Sequence, residues 1–527
     1  MKNKIKLFII FNSFIAFSGL LIQLQIDYVS QFAALLVIFV FPAAGLVLFK
    51  ESAAALKVAL GFVYSTVISM AILALFVSAG IPARPLPYMA ALALAGNSLL
   101  LFGMRRGPAV AFSRKSGGYY RAAVLVALVA GGLSFWGATR VVPVLQDHDS
   151  VMECPAYGLA TTLKPYCIET RVPFYLAKGP TSHFIYAFPL VLTGKLERVK
   201  HYYDSAQAAL AAPDPERNIV RLWHAEFKRW FPGTAQRVIV ETRTTSVFIS
   251  IMLALLLFTV VGEIAASDLL ALALGVVFLT LPEIFVRNSY AGYQNVSNFF
   301  LLLALYLFLK DRENLAVPLL LATVNQKCVI ILGLAVASWL LLNWPGWKKA
   351  LRNRTLAGLA AGMLLLYAYG WIIHPASLLQ DQFQRHGVDR LLHQNPIPGM
   401  NYPSFWGLWK MFFLNYGVLF VLLAAAAVAL LLRERRAFPR ATVLAALIAA
   451  TAMVFSLVDW KMTKHLDLMV PAMVLAMACA WRLRLRSAPR KWRLLAQAGL
   501  GAILLVNGWI IVKLAQDFSW LKVSPIW

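Results

Sequence analysis

The chain has 527 residues, 60% of them hydrophobic and only 14% charged. Apolar runs of about 18–22 residues, the length that crosses a bilayer core, recur from end to end, which excludes a soluble enzyme and marks an all-α polytopic membrane protein. The net charge of +26 does not indicate nucleic acid, because the basic residues cluster at the ends of the apolar runs, where they set topology and meet anionic lipid headgroups.

The opening MKNKIK and the apolar run after it resemble a signal sequence. No small-x-small cleavage site follows before Gln23, so the run is read as a retained first span. Further spans are expected at 32–49, 58–79, 85–103 and 121–138. The loop before the fifth carries Arg105, Arg106, Arg114, Lys115 and Arg121 without an acid, which places it in the cytoplasm. The fifth span then delivers residues 141–243 to the outside. Residues 374–410 form a second outside loop on the same reckoning.

Later spans are expected at 244–262, 268–286, 296–310, 355–373, 411–432, 441–458, 464–481 and 494–513. The stretch Leu315 to Trp344 is too short for two full spans, yet basic residues flank it on both sides: Lys310 and Arg312 before, Lys348, Lys349, Arg352 and Arg354 after. Both flanks belong inside only if the stretch crosses twice, so a helix broken at Asn325-Gln326-Lys327 is expected. The total comes to about 15 crossings, two of them short or broken.

The outside loop 141–243 opens on Asp147 and Asp149, two residues apart at a membrane exit. A carboxylate there is either a solvated surface group or a base that takes a proton from an acceptor. The pair would also permit a divalent cation on oxygen ligands. Residues HFIYAFPLVLTG are too few to span and fit an interfacial or buried helix. Residues ERNIVRLWHAEFKRWF gather Ile219, Leu222, Trp223 and Phe227 on one face, as in a helix lying on the outer leaflet. The chain has four cysteines, too few for a disulfide scaffold. Cys154 and Cys167 share this loop, and an oxidising compartment would permit their pairing. The alternative is two free thiols.

Candidate ligand-binding cations stand near span ends. Arg287 follows Glu283 by four residues, which allows an ion pair on one helix. Lys327 sits at the proposed break, and Lys464 and His465 open the span that contains DLMVPAMVLA. Arg385 lies in the second outside loop, before the aromatic run NPIPGMNYPSFWGLW. Each is either a topology charge or part of a ring around a lipid phosphate.

Taken in order, these motifs resemble the GT-C superfamily of membrane glycosyltransferases, in the branch of protein O-mannosyltransferases and the lipid A aminoarabinose transferase. QDHDSVMECPAYGL is similar to the family's acid segment, and LPEIFVRNSYAGYQNVSNFFLLLALYLFL to its second motif, with Asn295 near the usual aspartate. LATVNQKCVIILGL resembles its broken helix pair, and TKHLDLMVPAMVLAMA its late lysine-proline motif. The resemblance covers 121–515 as a GT-C-like core and leaves 1–120 as a four-span extension. It implies sugar transfer from a polyprenyl-phosphate donor, with inversion, to an acceptor outside a bacterial or archaeal-type cytoplasmic membrane. Asp147 would be the base with Asp149 beside it, and Arg287, Asn295, Lys327, Arg385, Lys464 and His465 would bind substrate. The implied partners are that donor and membrane lipid, with no nucleic acid and no obligatory cofactor. A lipid-sugar flippase or other transporter and a noncatalytic assembly partner are the alternative readings.

Overall fold

The computed structural model describes residues 2–26, 28–44, 54–82, 84–106, 117–142, 151–164, 179–197, 200, 234–343, 353–373, 404–457 and 463–517. All the regular secondary structure among the described residues is helical. They comprise α1 (Lys2–Gln23), α2 (Val29–Phe39), α3 (Ala54–Ser78), α4 (Pro85–Arg106), α5 (Gly117–Trp136), α6 (Val151–Thr162), α7 (Pro180–Leu192), α8 (Thr234–Ala265), α9 (Asp268–Thr280), α10 (Pro282–Ser289), α11 (Tyr293–Leu309), α12 (Ala316–Val324), α13 (Gln326–Asn343), α14 (Arg354–Ile373), α15 (Phe405–Tyr416), α16 (Val418–Arg433), α17 (Thr442–Leu457), α18 (Val470–Ala480) and α19 (Arg490–Gln516). Short π turns extend α5 over Gly137–Val141 and α18 over Trp481–Leu485, and a 3₁₀ turn, Thr463–Met469, leads into α18.

The protein is a polytopic helical membrane protein. Large apolar side chains such as Leu341, Ile372 and Leu505 are almost fully exposed, as suits a protein whose solvent is lipid.

The expected count of about 15 crossings is corrected. Among the described residues eight helices are long and apolar enough to cross a membrane, or up to ten if each of two sharply bent pairs is one span. Two physical causes account for the difference. Helices α1, α2, α11 and α13 contribute apolar helical stretches of only 10–17 residues each; a run's composition does not tell a span from a helix buried inside protein. Helix α11, for example, is covered by protein over nearly its whole length. The stretch expected as one span at 268–286 is instead α9 and α10, bent by 72°. The bend falls at Leu281–Pro282, where proline has no N–H to continue the ladder and starts a new helix as its first residue.

The second bend, 99° between α15 and α16, turns on Gly417 at φ 80°, a left-handed conformation that glycine adopts without a Cβ penalty. The break expected at Asn325–Lys327 is present and one residue wide: Asn325 stands between α12 and α13 in an extended conformation, φ −160° and ψ 111°.

The chain divides into two compact units. The first comprises residues 1–115, 144–248 and 290–293, and its centre is α7, all of whose residues are buried. Helices α2, α3, α4 and α6 pack on it. Phe39 stacks on Phe62 and meets Phe188 and Phe248. Helices α1 and α4 exchange amide hydrogen bonds between Asn12 and Asn97, at 3.0 and 2.9 Å, the kind of polar contact that holds helices together where burial of apolar surface supplies no drive.

The second unit comprises residues 116–143, 249–289 and 294–527. Helix α18 is wholly buried within it, among α9, α16 and α17. Helix α14 crosses α12 through Gly358 and Gly362, where a Cβ would come within 2.7 Å of the Leu315 carbonyl and 2.4 Å of the Leu319 carbonyl. This is a small-xxx-small contact that lets two backbones touch. At one end of this pair Glu313 accepts from Asn353 Nδ2 and the Thr355 N–H, both at 3.2 Å. Arg440 adds Asp311 and donates to the Phe308 carbonyl at 2.6 Å.

Candidate functional site

Helix α10 is eight residues long, every one of them buried, and holds Glu283 and Arg287 one turn apart. As the four-residue spacing implies, they form an ion pair. Arg287 Nε donates to Glu283 Oε1 at 2.8 Å, and its Nη2 contacts the same oxygen. The other carboxylate oxygen accepts from Asn415 Nδ2 of α15 at 3.0 Å. The bend after Leu281 aims α10 into the unit, and Gly137 lets it approach α5: a Cβ there would stand 2.0 Å from Ser289 Oγ.

A second carboxylate faces this pair. Asp467, in the 3₁₀ turn before α18, is 1% exposed. The charged side chains acting on it are Arg287, Glu283 and Lys327. Among the described residues no side chain hydrogen-bonds its oxygens; the Leu468 backbone N–H donates to it. Lys327 opens α13 directly after the break, half-buried, with its Nζ 5.9 Å from the centre of the Phe455 ring.

The extended backbone at Asn325 turns its side chain toward α11. Asn325 Nδ2 donates to Ser297 Oγ at 3.1 Å, and its Oδ1 accepts from the Lys327 N–H at 3.1 Å, capping α13. Cys328 hydrogen-bonds Ser297 and lies within the field of Asp467. The start of α11 is therefore a polar face inside an apolar unit. Gln294, Ser297 and Asn298 fall at helical spacings of three and four, which share one side. Both amide atoms of Gln294 and the carbonyl oxygen of Asn298 are buried without a protein partner among the described residues, as is Asn288 Nδ2 on α10.

Five elements, α10, α11, α13, α15 and the 3₁₀ turn before α18, thus carry two carboxylates, two cations and several amides within one helical unit. Burial of such charge in a membrane protein is costly and marks a functional site by default. Of the residues expected to bind substrate, Arg287 and Lys327 both act on this cluster. Asn295 is buried on α11 with its Oδ1 turned back to the Val296 N–H at 2.8 Å. Lys464 and His465 lie in the 3₁₀ turn three and two residues before Asp467, their side chains outside the described set. Asp147, Asp149, Arg385 and Cys167 lie outside the described residues, and Cys154 is described only as part of α6. Among the described residues no group of three or more His, Cys, Asp or Glu is placed to hold a metal ion.

The sequence reading missed Asp467, Asn415 and Ser297. The signal for Asp467 was present: a lone acid inside the apolar run that opens with Leu466.

Compared with family models, with curated proteins and with solved structures, the chain matches none.

Proposed function

We propose that the protein transfers a sugar from a polyprenyl-phosphate-linked donor to an acceptor on the outer face of a cytoplasmic membrane. The observation that carries this reading is the convergence of Arg287 and Lys327, 40 residues apart in sequence, on one buried carboxylate in a membrane-protein unit. Two cations at one buried place suit a lipid phosphate, and a low-dielectric surround strengthens their hold on it.

In the proposed reaction the acceptor oxygen or nitrogen forms a bond to the anomeric carbon as the bond from that carbon to the phosphate oxygen breaks. The acceptor proton passes to Asp147, and the negative charge left on the lipid phosphate is balanced by the cations. A single displacement inverts the anomeric configuration. Asp149 beside Asp147 orients the acceptor. The assignment of both acids comes from the sequence motif.

The test is sugar transfer in vesicles that hold the purified chain and a radiolabelled polyprenyl-phosphate sugar. Asp147→Asn is expected to lower turnover on the order of 10²-fold with insertion intact. Normal turnover in both Asp147→Asn and Asp149→Asn would overturn the mechanism.

Two bent helix pairs and a broken helix also favour a second reading, a transporter of lipid-linked sugars, since discontinuous helices commonly build transport sites. Movement of labelled lipid across the vesicle wall without release of polyprenyl phosphate would select it.

A further inference from the structure

Helices α16 and α18 of the second unit pack on each other. Their ends are tied where Arg484 Nε donates to Glu434 Oε1 at 3.0 Å. The two residues are 50 apart in sequence, so this bond joins two separate basic segments. Arg433, Arg435 and Arg436 stand on one and Arg482 and Arg486 on the other, each within two residues of the bond and each exposed. The first turn of α19, RKWR, continues the basic face and adds the exposed Trp492.

Crowded cations repel one another unless a counter-charge stands among them. Among the described residues Glu434 is the one acid that meets these arginines, and it is taken by Arg484; Arg433, Arg435, Arg436, Arg482 and Arg486 pair with no carboxylate. Arg440, a few residues on, shows the opposite case. It pairs with Asp311 and Glu313, donates to the Phe308 carbonyl at 2.6 Å and lies over the Phe308 and Trp339 rings. There the protein supplies the counter-charge; around Glu434 it does not. A topology signal does not explain the composition, because lysine and arginine serve it alike. All six cations at the bond are arginine, whose flat fork takes phosphate oxygens two at a time.

The surround is amphipathic. Leu432, beside Arg433, is 50% exposed, and Leu494 and Leu495, directly after the basic turn of α19, are 52% and 62% exposed. Together with Trp492 they suit a head group that carries acyl chains; a soluble phosphate would leave them uncovered. The candidate span Leu466–Leu485 holds Asp467 at one end and these arginines at the other. Basic segments belong inside, which puts the arginines at the cytoplasmic leaflet.

We infer that the two segments form a binding site for a phospholipid whose head group bears two phosphates, one engaged on each side of the Glu434–Arg484 bond. A single phosphate would leave one segment uncompensated. The site does not depend on sugar transfer.

The experiment measures lipid binding to the purified, delipidated full chain by native mass spectrometry. The probes are cardiolipin, and phosphatidylglycerol at twice its concentration so that phosphate is matched. Cardiolipin is expected to bind about tenfold more tightly than phosphatidylglycerol. Arg435→Lys with Arg436→Lys keeps every charge, and with it the topology, but removes two forks; cardiolipin binding is expected to weaken about fivefold. Arg435→Gln with Arg486→Gln removes one cation from each segment and is expected to weaken it about tenfold or more. Equal binding of the two lipids at matched phosphate, or wild-type cardiolipin binding in either variant, would overturn the site. The lysine variant decides even where the glutamine variant fails to fold.

Discussion

Helix α7 buries all thirteen of its residues and helix α10 all eight, but Tyr186 on the first and the ion pair on the second live differently. On α7, Tyr186 Oη accepts from the Gly292 N–H at 3.0 Å and lies 2.7 Å from Ser246 Oγ. The Ser246 hydroxyl donates to the Tyr290 carbonyl at 2.7 Å. One residue past the helix, Thr193 donates to the Pro189 carbonyl at 2.7 Å. These groups are neutral, and their bonds close within the first unit. Helix α10 carries a full ion pair and Asn288, whose Nδ2 no described residue satisfies, and the buried carboxylate of Asp467 acts on the pair. Equal burial therefore has two meanings. A closed neutral network fixes a helix in place, whereas an open charged one stores unfavourable energy that a ligand can relieve.

The largest test of this difference lies in the ion pair. Arg287→Met leaves Glu283 buried with its charge uncompensated, and is expected to destabilise the protein by about 3–5 kcal/mol. Glu283→Leu combined with Arg287→Met removes both charges and should recover most of that loss, because a buried pair replaced by apolar groups is often near neutral. The recovery stays incomplete, since Asn415 Nδ2 loses its acceptor. Thermal unfolding in detergent gives both numbers. A single variant as stable as wild type would erase the contrast with α7. Sugar transfer, on the proposed reading, stays lost in the double variant even where stability returns.

These features differ in how far the sequence announced them. The Glu283–Arg287 pair was legible because a spacing of four residues on a helix admits one geometry. The basic flanks of Leu315–Trp344 called for two crossings broken near Asn325; of that expectation the structure shows the helix interruption at Asn325. The number of crossings was not legible: a run of apolar residues marks both a span such as α8 and α11, which is shorter and hidden in protein. Asp467 was overshadowed by Lys464 and His465 beside it. Its meaning depends on Arg287, Glu283 and Lys327, whose proximity is a product of tertiary packing that local spacing does not carry.

The approach of α10 to α5 offers a smaller perturbation. In Gly137→Ala the new methyl would stand 2.0 Å from Ser289 Oγ and 3.0 Å from the Phe285 ring. Ser289 cannot easily rotate away, because its hydroxyl donates to the Phe285 carbonyl at 2.7 Å. The helix must shift instead, at a cost of about 1–3 kcal/mol, the usual range for overpacking. That shift moves Arg287 relative to Asp467, so transfer should fall more than stability alone accounts for. Activity measured well below the unfolding temperature separates the two effects; full activity there would show that the cluster tolerates displacement of α10.

The smallest effect belongs to α7. Tyr186→Phe keeps the ring, which is fully buried, and removes only the hydroxyl. The Gly292 N–H loses its acceptor, and Ser246 loses one neighbour while keeping its bond to the Tyr290 carbonyl. Ser246 is thus still satisfied, while the Gly292 N–H loses its acceptor and the Gly292 carbonyl its 2.9 Å donor, so the expected loss is about 1–2 kcal/mol. Because the network is closed, neutral and remote in chemistry from the charged cluster, turnover and lipid binding should match wild type at temperatures where both proteins are folded. The informative measurement is therefore the pair of values together, unfolding temperature and turnover. A lowered unfolding temperature with unchanged turnover is what a purely structural network gives. Turnover that falls while the unfolding temperature holds would mean that Tyr186 contacts the reacting partners, and that a closed hydrogen-bond network is no guide to which buried polar groups serve function in this protein.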